Sequence, residues 1–113
     1  MPNYARVMVL ADEWLPEARE DFAAELEYVY SEFGAKAAED VYMKVLDSVD
    51  NLRHFPRIGK HFSNMVYHGH EVRALSMRQT SLLYCFWEEK LLIIALWNNR
   101  LDEQNIKAMV QSR

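Results

Sequence analysis

The chain has 113 residues, half of them apolar, a formal net charge of -4 and a single cysteine. That length holds one hydrophobic core, so a single domain over residues 1–113 is expected, and the apolar content excludes a disordered tail. No apolar run approaches the ~18 residues a membrane span requires, and one cysteine excludes a disulfide framework.

The first ten residues, MPNYARVMVL, lack the basic start and small-residue cleavage site of a signal peptide, so a cytoplasmic location with no membrane partner is expected. Charge is spread unevenly. Between Asp12 and Asn51 twelve acidic residues stand against three basic ones, whereas Arg53 to Trp87 holds five basic residues and one acidic. The acidic part reads as the solvated outside of helices. The basic part, which also holds all four histidines, points to an anionic partner, either nucleic acid or an acidic protein segment.

In chain order, Ala5 to Ala11 alternate weakly and are rich in valine and methionine, which predicts a first strand. A helix follows from near Asp12 or Leu15, with Pro16 in its first turn, where the missing N–H costs nothing. Phe22, Leu26, Val29 and Phe33 fall on one face of it, and Gly34 ends it. A second helix is predicted from Ala35 to Leu52, with Ala38, Val41, Val45, Val49 and Leu52 as its apolar stripe. The short connection folds the two into an antiparallel hairpin. Pro56 requires the second helix to have stopped.

His54 to Gly69 reads as a loop, punctuated by Pro56, Gly59 and Gly69 and carrying Arg57, Lys60, His61 and His68. Three strands are predicted next, His70 to Ser76, Thr80 to Trp87 and Leu91 to Trp97, with Glu88–Glu89 as a hairpin turn. The last of them shows no polar alternation and is expected to be buried on both faces at the sheet centre. Asp102 is placed to cap a short helix that docks Ile106, Met109 and Val110. Cys85, in mid-strand, reads as a small buried hydrophobe. His61, His68 and His70 have no carboxylate or cysteine at metal-ligand spacing, so neither a metal nor a cofactor is expected.

Three segments taken in this order resemble the RelE/ParE superfamily of bacterial type II toxin–antitoxin toxins: HFPRIGK, VRALSM leading into SLLYCF, and the apolar strand ending in WNNR before Leu101–Asp102. The resemblance spans almost the whole chain. It implies an α+β fold, a small antiparallel sheet packed against an N-terminal two-helix antiparallel hairpin in the order β-α-α-β-β-β with a short C-terminal helix. It also implies a cognate antitoxin as partner, and one of two activities. RelE-like toxins cut mRNA in the ribosome's decoding site, whereas ParE-like toxins poison DNA gyrase and catalyse nothing themselves.

RNA cleavage needs fixed cations around the phosphorane and groups that move protons. The strand-borne lysines of the RelE-like pattern fall at Val72 and Ala74, and its early-strand arginine falls at Ser81. Arg100 alone keeps a matching place. A catalytic set of Arg73, Arg78, Arg100 and Tyr84 would therefore be a substitute, with His68 or His70 for proton transfer, and would apply only to a RelE-like enzyme. The ParE-like branch is favoured, with Arg53, Arg57, Lys60, Arg73 and Arg100 as partner-binding residues. Plainer roles stay open for several of these. Arg73 can pair with Glu71, Arg78 can be a solubilising turn charge, Arg100 can cap the sheet edge, and Tyr84 can be core with its hydroxyl at the rim. A non-toxic interaction module on the same fold and a homodimer also stay open.

Overall fold

Three two-residue turns fold the second half of the chain into a meander. His68–Gly69, Arg78–Gln79 and Glu88–Glu89 join β2 (Lys60–Tyr67), β3 (His70–Met77), β4 (Thr80–Trp87) and β5 (Lys90–Asn98) as antiparallel neighbours. The first residue of each turn has positive φ, 48° at His68, 54° at Arg78 and 51° at Glu88, the sign that suits the right-handed twist of paired strands. The computed structural model describes residues 9–99 and 102–113. On the far side of β5 lies β1 (Ala11–Trp14), which runs parallel to it, with Ala11 opposite Lys90 and Trp14 opposite Ile93. The sheet is thus five-stranded and mixed, in the order β1-β5-β4-β3-β2.

Leu15 is extended and Pro16 opens α1 (Pro16–Phe33), where its fixed φ suits the first turn. Gly34, at φ 95°, then reverses the chain into α2 (Ala35–His54). The hairpin packs on one sheet face, where Val45, Val49 and Leu52 meet Leu82, Tyr84 and Ile93. The opposite face is covered by α3 (Glu103–Gln111), whose Ile106 and Val110 join Val72, Cys85, Ile94 and Trp97. Asp102 caps α3 as the sequence predicts, its carboxylate accepting the Asn105 amide at 2.8 Å.

The α+β architecture and the helical hairpin agree with the sequence, with three differences in the strands, the first being that the sheet expected to be antiparallel is mixed, because β1 enters it parallel to β5. The first strand is Ala11–Trp14 rather than Ala5–Ala11, of which residues 5–8 lie outside the described residues. The predicted loop over residues 54–69 contains β2, an edge strand whose register with β3 shifts between His61 and Val66. Ser63 and Asn64, both at positive φ, form this bulge. It brings Phe62 and Met65 onto one face at a spacing that hides the alternation of a strand. Leu91 to Trp97 are all buried, as expected, although β4 rather than β5 is the middle strand. Phe33 departs from the predicted core stripe of α1 and is 65 % exposed.

β5 carries a second irregularity. Leu83 pairs with Ala95 but Tyr84 pairs with Ile93, so Ile94 is an extra residue. The Leu96 amide donates to the carboxylate of Asp21 on α1 at 3.2 Å, and the Ile94 carbonyl accepts from Arg113 at 2.9 Å. Arg113 also forks onto both oxygens of Asp21, at 2.6 and 2.9 Å. One ion pair, mostly shielded from solvent, thereby ties α1, the bulged strand and the segment after α3 together.

Candidate interaction surface

Between α2 and β2 the chain turns over Phe55–Gly59. Pro56 holds Phe55 out of helical geometry, at φ -134°, although the Phe55 amide still reaches the Asn51 carbonyl at 2.8 Å. Beneath the turn, the buried Tyr84 hydroxyl donates to the Pro56 carbonyl at 2.6 Å and accepts the Gly59 amide at 3.0 Å. Arg73 sits directly across from Tyr84 in the β3–β4 register. Its guanidinium donates to the Gly59 carbonyl at 2.7 Å and the Arg57 carbonyl at 3.2 Å. Two side chains of the sheet therefore hold the polar backbone of the turn from below.

Glycine is required at position 59 by space. A Cβ there would collide with the Tyr84 hydroxyl and stand 2.9 Å from the Ala74 carbonyl. Burial pushes the pKa of Tyr84 up, against smaller downward pulls from the Gly59 amide and the Arg73 charge. The hydroxyl keeps its proton at neutral pH and keeps donating it to Pro56. Tyr84 is thus core, with its hydroxyl serving the turn.

The upper side of the turn faces solvent. Phe55 is 64 % and Ile58 52 % exposed. Arg57 lies with its guanidinium carbon 5.5 Å from the Phe86 ring centroid, a cation–π distance, and Lys60 is exposed at the start of β2. The result is a hydrogen-bonded knuckle with two exposed apolar side chains set among cations. Sequence patterning marks its cations, but it does not show that Phe55 and Ile58 point outward.

The remaining candidate residues are dispersed. Arg53 serves the frame, donating to the Leu10 carbonyl at 2.8 Å and to Asp50 at 3.1 Å. Arg78 is in the β3–β4 turn, four residues beyond Ala74, the register partner of Lys60, and its carbonyl accepts from Asn99 at 2.8 Å. Arg100 lies outside the described residues. Glu71 pairs with His61 rather than with Arg73. Val72 is fully buried, and Ser81 is 2 % exposed with its hydroxyl donating to Asn99 at 2.6 Å. His70 stacks on Trp87 with centroids 4.2 Å apart. Burial pushes the Cys85 thiol up to about 12, which keeps it protonated and unreactive. Among the described residues no three metal-ligating side chains converge, and no helix is long and apolar enough to cross a membrane.

A two-helix hairpin packed on a small sheet, with a basic segment between them, is the arrangement that the resemblance to RelE/ParE toxins implies. The family model described as the ParE toxin of the type II toxin–antitoxin system parDE matches residues 13–102, and the chain belongs to that family. A solved structure described as the chromosomal ParDE TA system from P. aeruginosa is similar in fold. It aligns at a TM-score of 0.65 and 16 % identity, covering 80 % of this chain and 97 % of that one. No curated protein matches the chain significantly.

Proposed function

We propose that this chain acts as a ParE-like toxin that arrests growth by binding DNA gyrase, and that a cognate antitoxin neutralises it. The observation that carries the choice of mechanism is the state of the strand positions where RelE-like nucleases place cations. Val72 is fully buried under α3 and Ser81 is hydrogen-bonded within the fold. Ribosome-dependent cleavage would need charges at those positions to balance the phosphorane. Tyr84, the substitute proton donor, has its hydroxyl committed to Pro56 and Gly59.

A binding toxin asks less of the same scaffold. It needs a rigid surface that combines apolar anchors with charge, and the Phe55–Lys60 segment supplies one. Arg57, Lys60 and Arg73 give that surface a sign that suits an acidic partner segment. Gyrase supercoiling and ribosome-programmed mRNA cleavage, assayed side by side on the purified chain, test the proposal. Loss of supercoiling with intact mRNA is the expected result. Cleaved mRNA with supercoiling untouched would reverse it.

A further inference from the structure

Apart from the Phe55–Lys60 surface, a second apolar site lies between the helical hairpin and the β3–β4 turn, an open groove of about 590 Å³. Val29, Val45 and Met77 line it and are nearly inaccessible themselves, which makes its floor apolar. Phe33, at the lip, is 65 % exposed although it is among the largest apolar side chains in the protein. A cavity and an uncovered aromatic of suitable size thus lie on the same patch.

The charges on the groove differ from those of the basic turn. Near the hairpin bend the lining carries Asp40, which pairs with the exposed Lys36 at 3.1 Å in a weak surface bridge, and with Glu32 and Glu39 exposed beside them the bend is acidic on balance. Toward the sheet it carries Lys44 and the turn residue Arg78. Glu25 on α1 also lines it. A strongly acidic segment would meet Glu25 and Asp40, and a strongly basic one would meet Lys44 and Arg78. A surface acidic at one end and basic at the other is complementary to itself when two copies lie antiparallel, which is the requirement of a twofold interface.

We infer that this groove is a homodimer interface, in which Phe33 of each copy enters the apolar floor of the other and Asp40 of each approaches Arg78 of the other. The inference is independent of the gyrase reading, because it concerns a different surface and is measured without the target. Phe33 is a knob on the patch that holds its own hole, so each contact occurs twice across the axis. That doubling is what lets a modest patch hold a dimer.

Sedimentation equilibrium of the purified full chain over about a hundredfold range of concentration tests this, since only a reversible dimer changes mass with concentration. The expected result is a concentration-dependent dimer. Phe33→Ser should raise its dissociation constant by about tenfold or more, as removal of a central aromatic anchor does. Arg78→Asp should weaken it as well, and Asp40→Arg combined with Arg78→Asp should restore it, because the pair is then reversed in both copies. Phe33 and Arg78 are exposed, and an unchanged circular dichroism spectrum confirms that the variants fold. A monomer at every concentration would overturn the inference, as would a dimer indifferent to both single substitutions. A monomer whose groove instead binds an acidic amphipathic helical peptide would also overturn it.

Discussion

Tyr84 and Gly59, 25 residues apart in sequence, meet in a hydrogen bond of 3.0 Å between a buried phenol and a backbone amide. The same hydroxyl donates to Pro56 at 2.6 Å, so one oxygen atom fixes both ends of the basic turn. Tyr84→Phe would leave an amide and a carbonyl without partners. The expected cost is about 1–3 kcal/mol in urea unfolding, together with faster hydrogen exchange at the Gly59 amide. An unchanged midpoint would mean that the turn does not depend on the phenol.

Gly59→Ala attacks the same contact from the other side. The new methyl would overlap the Tyr84 hydroxyl and crowd the Ala74 carbonyl, for an expected loss of about 2–4 kcal/mol. Because part of the overlap is with the hydroxyl, Tyr84→Phe and Gly59→Ala together should cost less than the sum of the two. Strict additivity in that double-mutant cycle would place the overlap elsewhere.

The cations of the turn act differently from its brace. Lys60→Glu removes an exposed charge and should change the unfolding free energy by no more than about 0.5 kcal/mol, and Arg57→Glu, which also gives up the contact with Phe86, by no more than about 1 kcal/mol. Under the proposed gyrase mechanism, each should weaken inhibition by roughly tenfold and lower its sensitivity to salt. Arg73→Gln should lower stability and inhibition together, since Arg73 holds the carbonyls of Arg57 and Gly59. Inhibition unaffected by all three substitutions would remove this turn from the gyrase contact.

What could be read from the sequence follows from how local the determining contacts are. The helical hairpin is legible because Val45, Val49 and Leu52 repeat at helical spacing, and β5 because Leu91 to Trp97 is apolar throughout. Alternation with Leu82 and Phe86 also makes the inward side of Tyr84 legible. β2 is hidden by the Ser63–Asn64 bulge, which breaks its alternation. β1 is hidden by its four-residue length and its exposed Asp12 and Glu13. The brace has no sequence signature, because Arg73 and Tyr84 bind backbone atoms of a distant turn, and one carbonyl looks like any other in a sequence. Phe33 illustrates the converse: periodicity places it on the apolar stripe, but the stripe extends past the surface that could cover it.

Cys85 gives the protein a dependence on alkaline pH. Its thiol is pushed from 9.0 up to about 12 by burial, so the folded chain keeps a proton that the unfolded chain releases above pH 9. The stabilising contribution is complete below that value and is lost as pH rises toward the folded value, at up to ~1.4 kcal/mol per pH unit. Cys85→Ala should flatten this share of the slope when unfolding free energy is followed from about pH 8 to about pH 11. The raised value at Tyr84 contributes in the same direction and remains in the variant. Equal slopes in the two proteins would show that the thiol does not carry the effect.

The parallel pairing of β1 with β5 also bears on when the molecule can take shape. β2 to β5 join through tight local turns and can zip as each strand appears. β1 must wait for a partner encoded near the other end of the chain. The bonds from Asp21 to Leu96 and to Arg113 span 75 and 92 residues. Contacts so distant in sequence form late, because a long chain must be closed before they return any stabilisation. During synthesis α1 and α2 leave the ribosome well before the strands they cover, and β1 remains an unpaired edge until β5 arrives. The complete sheet is therefore a late product of translation, closed only when the last segment of the chain is available.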